Sequence, residues 1–170
     1  MKNKMQEIKI EKIVLSAGAT GEKLDRAVKL LNIISGMKTI KTSSNKRIPG
    51  FGIRPGLEIG CKVTLRGKKG VPLLKRLLQG VKNEIKESQI EENHLSFGIE
   101  EYIEVPGLEY QRDIGILGFN VTVVFERKGK RVKIKKIKRG KIPPRQNVSK
   151  EEIIDFMKIF FELEVKNDSK

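Results

Sequence analysis

The sequence predicts an α+β domain over 1–170: a mostly antiparallel sheet with helices packed on one side, plus a basic extension and a C-terminal helix. Three observations predict it. Several segments alternate apolar and polar residues with period two, as strands with one buried face do. Others place apolar residues at i, i+3, i+4 and i+7, as helices with one buried face do. The segments run strand, helix, strands, helix, strands, helix, an order that suits helices packed on a sheet.

Ile8 to Leu15 is the first predicted strand. Thr20 to Ser35 reads as a helix, with Leu24, Ala27, Val28, Leu31 and Ile34 on one stripe and Gly36 where a C-terminal cap belongs. Lys38 to Thr42 fits a short strand, and Ser43 to Gly56 a loop punctuated by Pro49-Gly50 and Pro55-Gly56. Leu57 to Arg66 is the clearest strand. Leu57, Ile59, Cys61, Val63 and Leu65 share one face, which turns Lys62, Thr64 and Arg66 to the other. A helix is expected from Val71 to about Glu87, with Pro72 in its first turn and Leu74, Leu77, Leu78, Val81 and Ile85 buried. Leu95 to Val105 and Gly118 to Arg127 read as strands, the latter with Phe119, Val121, Val123 and Phe125 on one face. Ser149-Lys150-Glu151-Glu152 has the S-x-x-E form of a capping box. It opens a helix over 149–163 in which Ile153, Phe156, Met157 and Phe160 are expected to face inward.

The charge is uneven. Net charge is +15, and between Arg127 and Arg145 stand eleven Lys or Arg residues without one Asp or Glu. Such a run repels itself until a polyanion neutralises it, which points to nucleic acid. The pI near 9.9 agrees. At 38% apolar and 34% charged, the chain sits low for a globular protein but above the disordered range. One cysteine, Cys61, excludes an internal disulfide and accords with a reducing cytoplasm. No apolar run approaches a membrane span, and the basic run lacks the aromatic residues of a lipid-binding helix.

Enzyme chemistry finds little footing. The single histidine, His94, sits in a polar stretch and reads as a surface residue. Cys61 falls on an apolar strand face, as a buried inert thiol does. One Cys and one His cannot build a usual zinc site, and no phosphate-loop or dinucleotide motif is present. Glu100, Glu101 and Glu104 cluster without an orienting partner. No catalytic residue, cofactor or metal is therefore expected.

Three segments fit nucleic acid. The first is the basic run: Arg127, Lys128, Lys130, Arg131, Lys133, Lys135, Lys136, Lys138, Arg139, Lys141 and Arg145. It is bracketed by two structured elements, so phosphate contact is preferred over a free solvated tail or a localisation signal. The second is the polar face Lys62, Thr64, Arg66, which periodicity alone leaves open between a solvated strand and a surface reading phosphates and 2′-hydroxyls. The third is the acid-free loop with Lys46, Arg47, Phe51 and Arg54. It is either a flexible connection with its aromatic tucked inward or a mobile basic finger reaching a second RNA. Phe119 and Phe125 lie on a core-like face, which argues against modules that stack splayed bases on sheet aromatics.

Together, several stretches resemble one family, ribosomal large-subunit protein L five in its archaeal and eukaryotic form. They are Ile10-Glu11-Lys12-Ile13-Val14-Leu15, Ile33-Ile34-Ser35-Gly36, Gly52-Ile53-Arg54, Ile59 to Gly67 (IGCKVTLRG), Ser96-Phe97-Gly98-Ile99 and Asp113-Ile114-Gly115-Ile116. The resemblance runs from Glu7 to about Val165. It implies a non-enzymatic, cytoplasmic protein of the ribosome. It implies 5S rRNA bound and anchored in the central protuberance, contacts to large-subunit rRNA, and an approach to P-site tRNA. Neighbouring ribosomal proteins, including the small-subunit head at an intersubunit bridge, are implied partners. It divides the chain into an RNA-binding core (7–126), an rRNA-contacting extension (127–147) and the C-terminal helix. Thr64 and Arg66 match the family's 5S-contacting strand residues, and Lys46 to Leu57 matches the loop that nears tRNA. Two positions depart from the family pattern: Ser16 stands for a common Asn and Met37 for a common Gln. Ser16 keeps a donor and acceptor on a shorter reach, and Met37 keeps neither. The implied 5S site is thus remodelled toward backbone contacts. The alternative is a general basic RNA-binding or protein-interaction module acting off the ribosome.

Overall fold

Alternating sequence builds a six-stranded antiparallel sheet. The computed structural model describes residues 3–166. In chain order they form β1 (Ile8–Gly18), α1 (Glu22–Ser35), β2 (Ile40–Ser43), β3 (Glu58–Arg66), α2 (Gly70–Gly80), β4 (Glu84–Lys86), β5 (Ile90–Glu91), β6 (His94–Ile99), β7 (Phe119–Arg127), α3 (Arg131–Ile134), α4 (Lys150–Phe161) and β8 (Glu164–Lys166). The sheet order is β2-β3-β1-β7-β6-β5, and β4 pairs with β8 in a small parallel ribbon.

One face of the sheet is core. Ile13, Leu15 and Ala17 of β1, Cys61, Val63 and Leu65 of β3, Phe119 to Phe125 at alternate positions of β7, and Leu95, Phe97 and Ile99 of β6 are all buried. Leu24, Ala27, Leu30, Leu31 and Ile34 of α1, Leu73, Leu74, Leu77 and Leu78 of α2, and Ile153 and Met157 of α4 close over them. At roughly 2 kcal/mol for each large apolar side chain removed from water, this layer is the main stabilising term. The α+β class and the one-sided helix layer are as the periodicity predicts.

Caps set the helix ends. Gly36 takes φ 61° and donates its N–H to Asn32 O at 2.8 Å, closing α1 as expected. Ser149 and Glu152 form the reciprocal capping box at the start of α4.

Several boundaries differ from the sequence reading. The helix expected from Val71 to Glu87 stops at Gly80. Lys82 and Asn83 follow in left-handed conformation (φ 55° and 58°), and the chain reverses into β4. Ile85 is buried as expected, but from a strand. The strand expected from Leu95 to Val105 ends at Ile99. Tyr102 and Val105 are instead buried from a 3-10 turn, and the Tyr102 hydroxyl accepts the Gln111 N–H at 2.8 Å. In α4, Phe161 takes the inward place expected of Phe160, which is 59% exposed. That helix ends at Phe161, not 163, because Glu162 turns left-handed (φ 52°) and leads into β8.

Candidate nucleic-acid interface

The helices cover one face of the sheet and leave the other open. Strand register decides what shares that open face. Lys62 lies opposite Ser16, and Ser16 opposite Asn120. Thr64 lies opposite Val14, then Thr122, then Ser96. Arg66 lies opposite Lys12, then Val124. Directly opposed residues stand about 4.5–5.5 Å apart, so these rows form one patch. Gly60 allows the tight packing at its edge, since a Cβ there would lie 3.0 Å from Ala17 O. Lys62 and Arg66 are exposed, and Thr64 and Ser16 half-buried. The patch offers cations flanking hydroxyls and an amide, held by a rigid sheet. Met37 is exposed just beyond the α1 cap, three residues before Ile40, which sits opposite Lys62 at the edge of the same face.

Sequence reasoning missed Lys12, Asn120, Thr122 and Ser96. Lys12, Asn120 and Thr122 occupy the non-core positions of β1 and β7, so alternation marked their face. Only the register shows that they adjoin Lys62 and Arg66.

Two carboxylates near Lys12 interrupt the basic character of the open face, and both are neutralised. Glu11 lies at a bulge between Ile10 and Lys12, and Glu126 opposite Lys9. Lys130 Nζ reaches Glu11 at 2.8 Å and Glu126 at 3.1 Å, and Lys9 reaches Glu126 at 2.7 Å. Burial alone would raise the Glu11 pKa, but the hydrogen bond and charge of Lys130 outweigh it and hold the carboxyl below its ordinary range. Burial alone would lower Lys130, but its bonds to Glu11 and Glu126 raise it.

The basic run therefore divides in two. Arg127 donates through Nη2 to both oxygens of Glu152 at 2.7 and 2.6 Å. Lys128 pairs with Glu7, and Lys130 with Glu11 and Glu126. These three cations root the run in the fold. The remaining eight, from Arg131 to Arg145, are exposed and form no ion pair among the described residues. At the far end Val148 is fully buried, donates to Asn93 Oδ1 at 2.8 Å and accepts the Asn93 N–H at 3.1 Å. The segment is an arm tethered at both ends.

The loop between β2 and β3 is a built finger. Ser44 N–H donates to Leu57 O at 2.9 Å, Gly56 N–H to Ser44 O at 2.8 Å, and Ile48 and Ile53 exchange bonds at 2.9 and 3.1 Å. Gly52 and Gly56 supply the left-handed turns (φ 66° and 84°) that its sharp bends require. Phe51 stands at the tip, 81% exposed, so it is not tucked inward. Lys46, Arg47 and Arg54 are exposed around it.

The other candidates are quiet. Cys61 is buried, which pushes its thiol pKa up and leaves it a poor nucleophile. His94 is partly exposed; its Nε2 lies 3.4 Å from a Glu91 oxygen and its Nδ1 3.0 Å from Glu92 O. Among the described residues no His, Cys, Asp and Glu cluster is placed to hold a metal, and no helix is long and apolar enough to cross a membrane.

Comparison with known proteins now decides the family. A model of ribosomal protein L5 matches residues 3–54, and a model of the C-terminus of the same ribosomal family matches 58–156. The chain is 45% identical over 157 residues to the large ribosomal subunit protein uL5 of Nanoarchaeum equitans, covering 91% of this chain and 93% of that one. It is 42% identical over 166 residues to uL5 of Methanosphaera stadtmanae, covering 96% and 99%. Against uL5 of Sulfurisphaera tokodaii it is 39% identical over 167 residues, covering 96% and 94%.

The chain belongs to the ribosomal protein L5 family. That family consists of structural, non-enzymatic, rRNA-binding constituents of the large ribosomal subunit. Archaeal members resemble the chain over almost its whole length, including the arm and α4.

Proposed function

We propose that the chain binds 5S rRNA on the open face of its sheet and anchors it in the central protuberance of the large subunit. The single observation that carries this reading is the face itself. Six strands are covered by helices on one side only, and the bare side gathers Lys12, Lys62 and Arg66 around Ser16, Thr64 and Asn120. A sheet that buries one face and lines the other with cations and hydroxyls suits an RNA read by its backbone and 2′-hydroxyls. No aromatic residue of β1, β3 or β7 points to that side, so base stacking has little part. Lys62 and Arg66 neutralise phosphates, while Thr64 and Ser16 accept from and donate to sugar hydroxyls. Met37 marks the edge of the footprint and contributes contact without hydrogen bonds.

The same reading assigns the arm to large-subunit rRNA. Eight exposed cations, without ion pairs among the described residues, stand on a segment tethered at both ends and neutralise phosphates. The finger, with Phe51 at its tip, is directed toward P-site tRNA. Neighbouring ribosomal proteins, among them one at the small-subunit head, complete the set of partners.

The test is the double variant Thr64→Ala, Arg66→Ala against 5S RNA. A loss of about 1–3 kcal/mol per good polar contact is expected, with an unchanged circular dichroism spectrum because neither side chain belongs to the core. Unaltered affinity would show that the face is only solvated.

A further inference from the structure

The side of the molecule away from the open sheet face carries a second unsatisfied surface. An aromatic ladder climbs out of the core there. Phe125 is fully buried, Phe156 meets it edge-on with centroids 5.7 Å apart, and Phe160 lies on Phe156 at 4.5 Å. The ladder ends in water: Phe160 is 59% exposed and its neighbour Ile159 76% exposed. These residues form one wall of a groove of about 510 Å³ between α4 and the chain entering β1. Leaving a large apolar side chain solvated forgoes the stabilisation that burial would supply. A rigid aromatic at the mouth of a groove is the usual form of an interface anchor.

Carboxylates outnumber cations in the lining of the groove, against the balance of the chain as a whole. Glu7, Glu152 and Asp155 line it together with Arg127. Glu7 and Glu152 are held by Lys128 and Arg127, but Asp155 has no ion pair among the described residues. Glu151, exposed in the first turn of the same helix, and Glu162, exposed at its C-terminal cap, have none either. In a chain of net charge +15, this is a local excess of acid, with Asp155 the lining carboxylate left unbalanced. A polynucleotide is disfavoured here, whereas a basic protein segment is attracted.

We propose that the groove between α4 and the N-terminal segment docks a short basic and apolar stretch of a partner protein. An apolar side chain of that stretch packs on Phe160 and Ile159, and a Lys or Arg pairs with Asp155. The site lies on the helix side of the sheet, so it can be filled while the open face holds RNA. It does not depend on which RNA that is.

The full chain is titrated at moderate salt with two end-blocked synthetic peptides, one alternating leucine and lysine, the other leucine and glutamate. Global charge favours the acidic peptide. The groove favours the basic one, and Asp155→Lys and Phe160→Ser are each expected to weaken it by about tenfold or more without altering 5S RNA binding. Both positions are on the surface, and circular dichroism verifies the fold. Preference for the acidic peptide, or equal binding of the basic one by wild type and both variants, would overturn the proposal. A photo-crosslinker at position 159 in assembled ribosomal particles gives an independent reading. Adducts to a Lys- or Arg-rich peptide support it, and adducts to nucleotides refute it.

Discussion

Neutralising cations of the arm should lower the salt dependence of RNA binding in proportion to the charges removed, whereas neutralising cations at its root should not. The structure sets the magnitudes. Of eleven basic residues between Arg127 and Arg145, three are engaged by Glu7, Glu11, Glu126 and Glu152, and eight form no ion pair among the described residues. Each phosphate neutralised contributes roughly 0.7–0.9 to the slope of log K against log salt. Replacing Lys135, Lys136, Lys138 and Arg139 with glutamine should therefore cut the slope by about 3 on large-subunit rRNA fragments. Replacing Arg127 and Lys128 should leave the slope nearly unchanged and instead lower stability, because a half-buried Glu152 loses its partner. Fluorescence anisotropy at several salt concentrations measures the slope, and urea unfolding measures the stability. Equal slope losses per charge at root and arm would refute the division.

Two further outcomes follow from the same geometry. Deleting Ile48 to Pro55 should spare 5S RNA binding, because Ser44 and Gly56 already bond to each other at 2.8 Å and the gap can close; reconstituted ribosomes should then show disturbed P-site tRNA placement by footprinting, and loss of 5S binding in this variant would contradict the assignment of the finger. The stability contributed by Glu11 should be fully present above its unfolded pKa and vanish as pH falls through its depressed folded value, while that of Lys130 persists below its unfolded pKa and is lost only as pH rises through its raised one. Urea melts of wild type and Glu11→Gln should accordingly differ by about 1 kcal/mol near neutral pH and converge in acid, and a constant difference across that range would show that Glu11 acts otherwise.

Much of the fold was legible because half-buried strands and helices announce their period. β1, β3 and β7 alternate cleanly, and Gly36 and the Ser149 box mark helix ends by local chemistry. What failed was information carried at long range or in very short elements. β5 and β8 have two and three residues, too few to show a period. Val81 and Ile85 continue the apolar spacing of α2 by coincidence, although left-handed Lys82 and Asn83 have already turned the chain. Phe160 continues the apolar spacing of α4, yet Phe161 takes the inward place and Phe160 stays exposed against Phe156. The candidate interface was legible in the same partial way. Alternation turned Lys62, Thr64 and Arg66 outward, yet Lys12 and Asn120 join them only through register. The basic run showed its charge but not its division, because Glu7 and Glu11 stand at the opposite end of the chain from Lys128 and Lys130.

The central claim is that the open sheet face reads a particular RNA rather than any polyanion. A titration of the full chain against 5S RNA and against an unrelated structured RNA of equal length, at one moderate salt concentration, tests it most directly. The account predicts clearly tighter binding of 5S RNA, and a preference that shrinks in the Thr64→Ala, Arg66→Ala variant. Equal affinity for the two RNAs would contradict it and leave the arm's charge as the whole of the interaction.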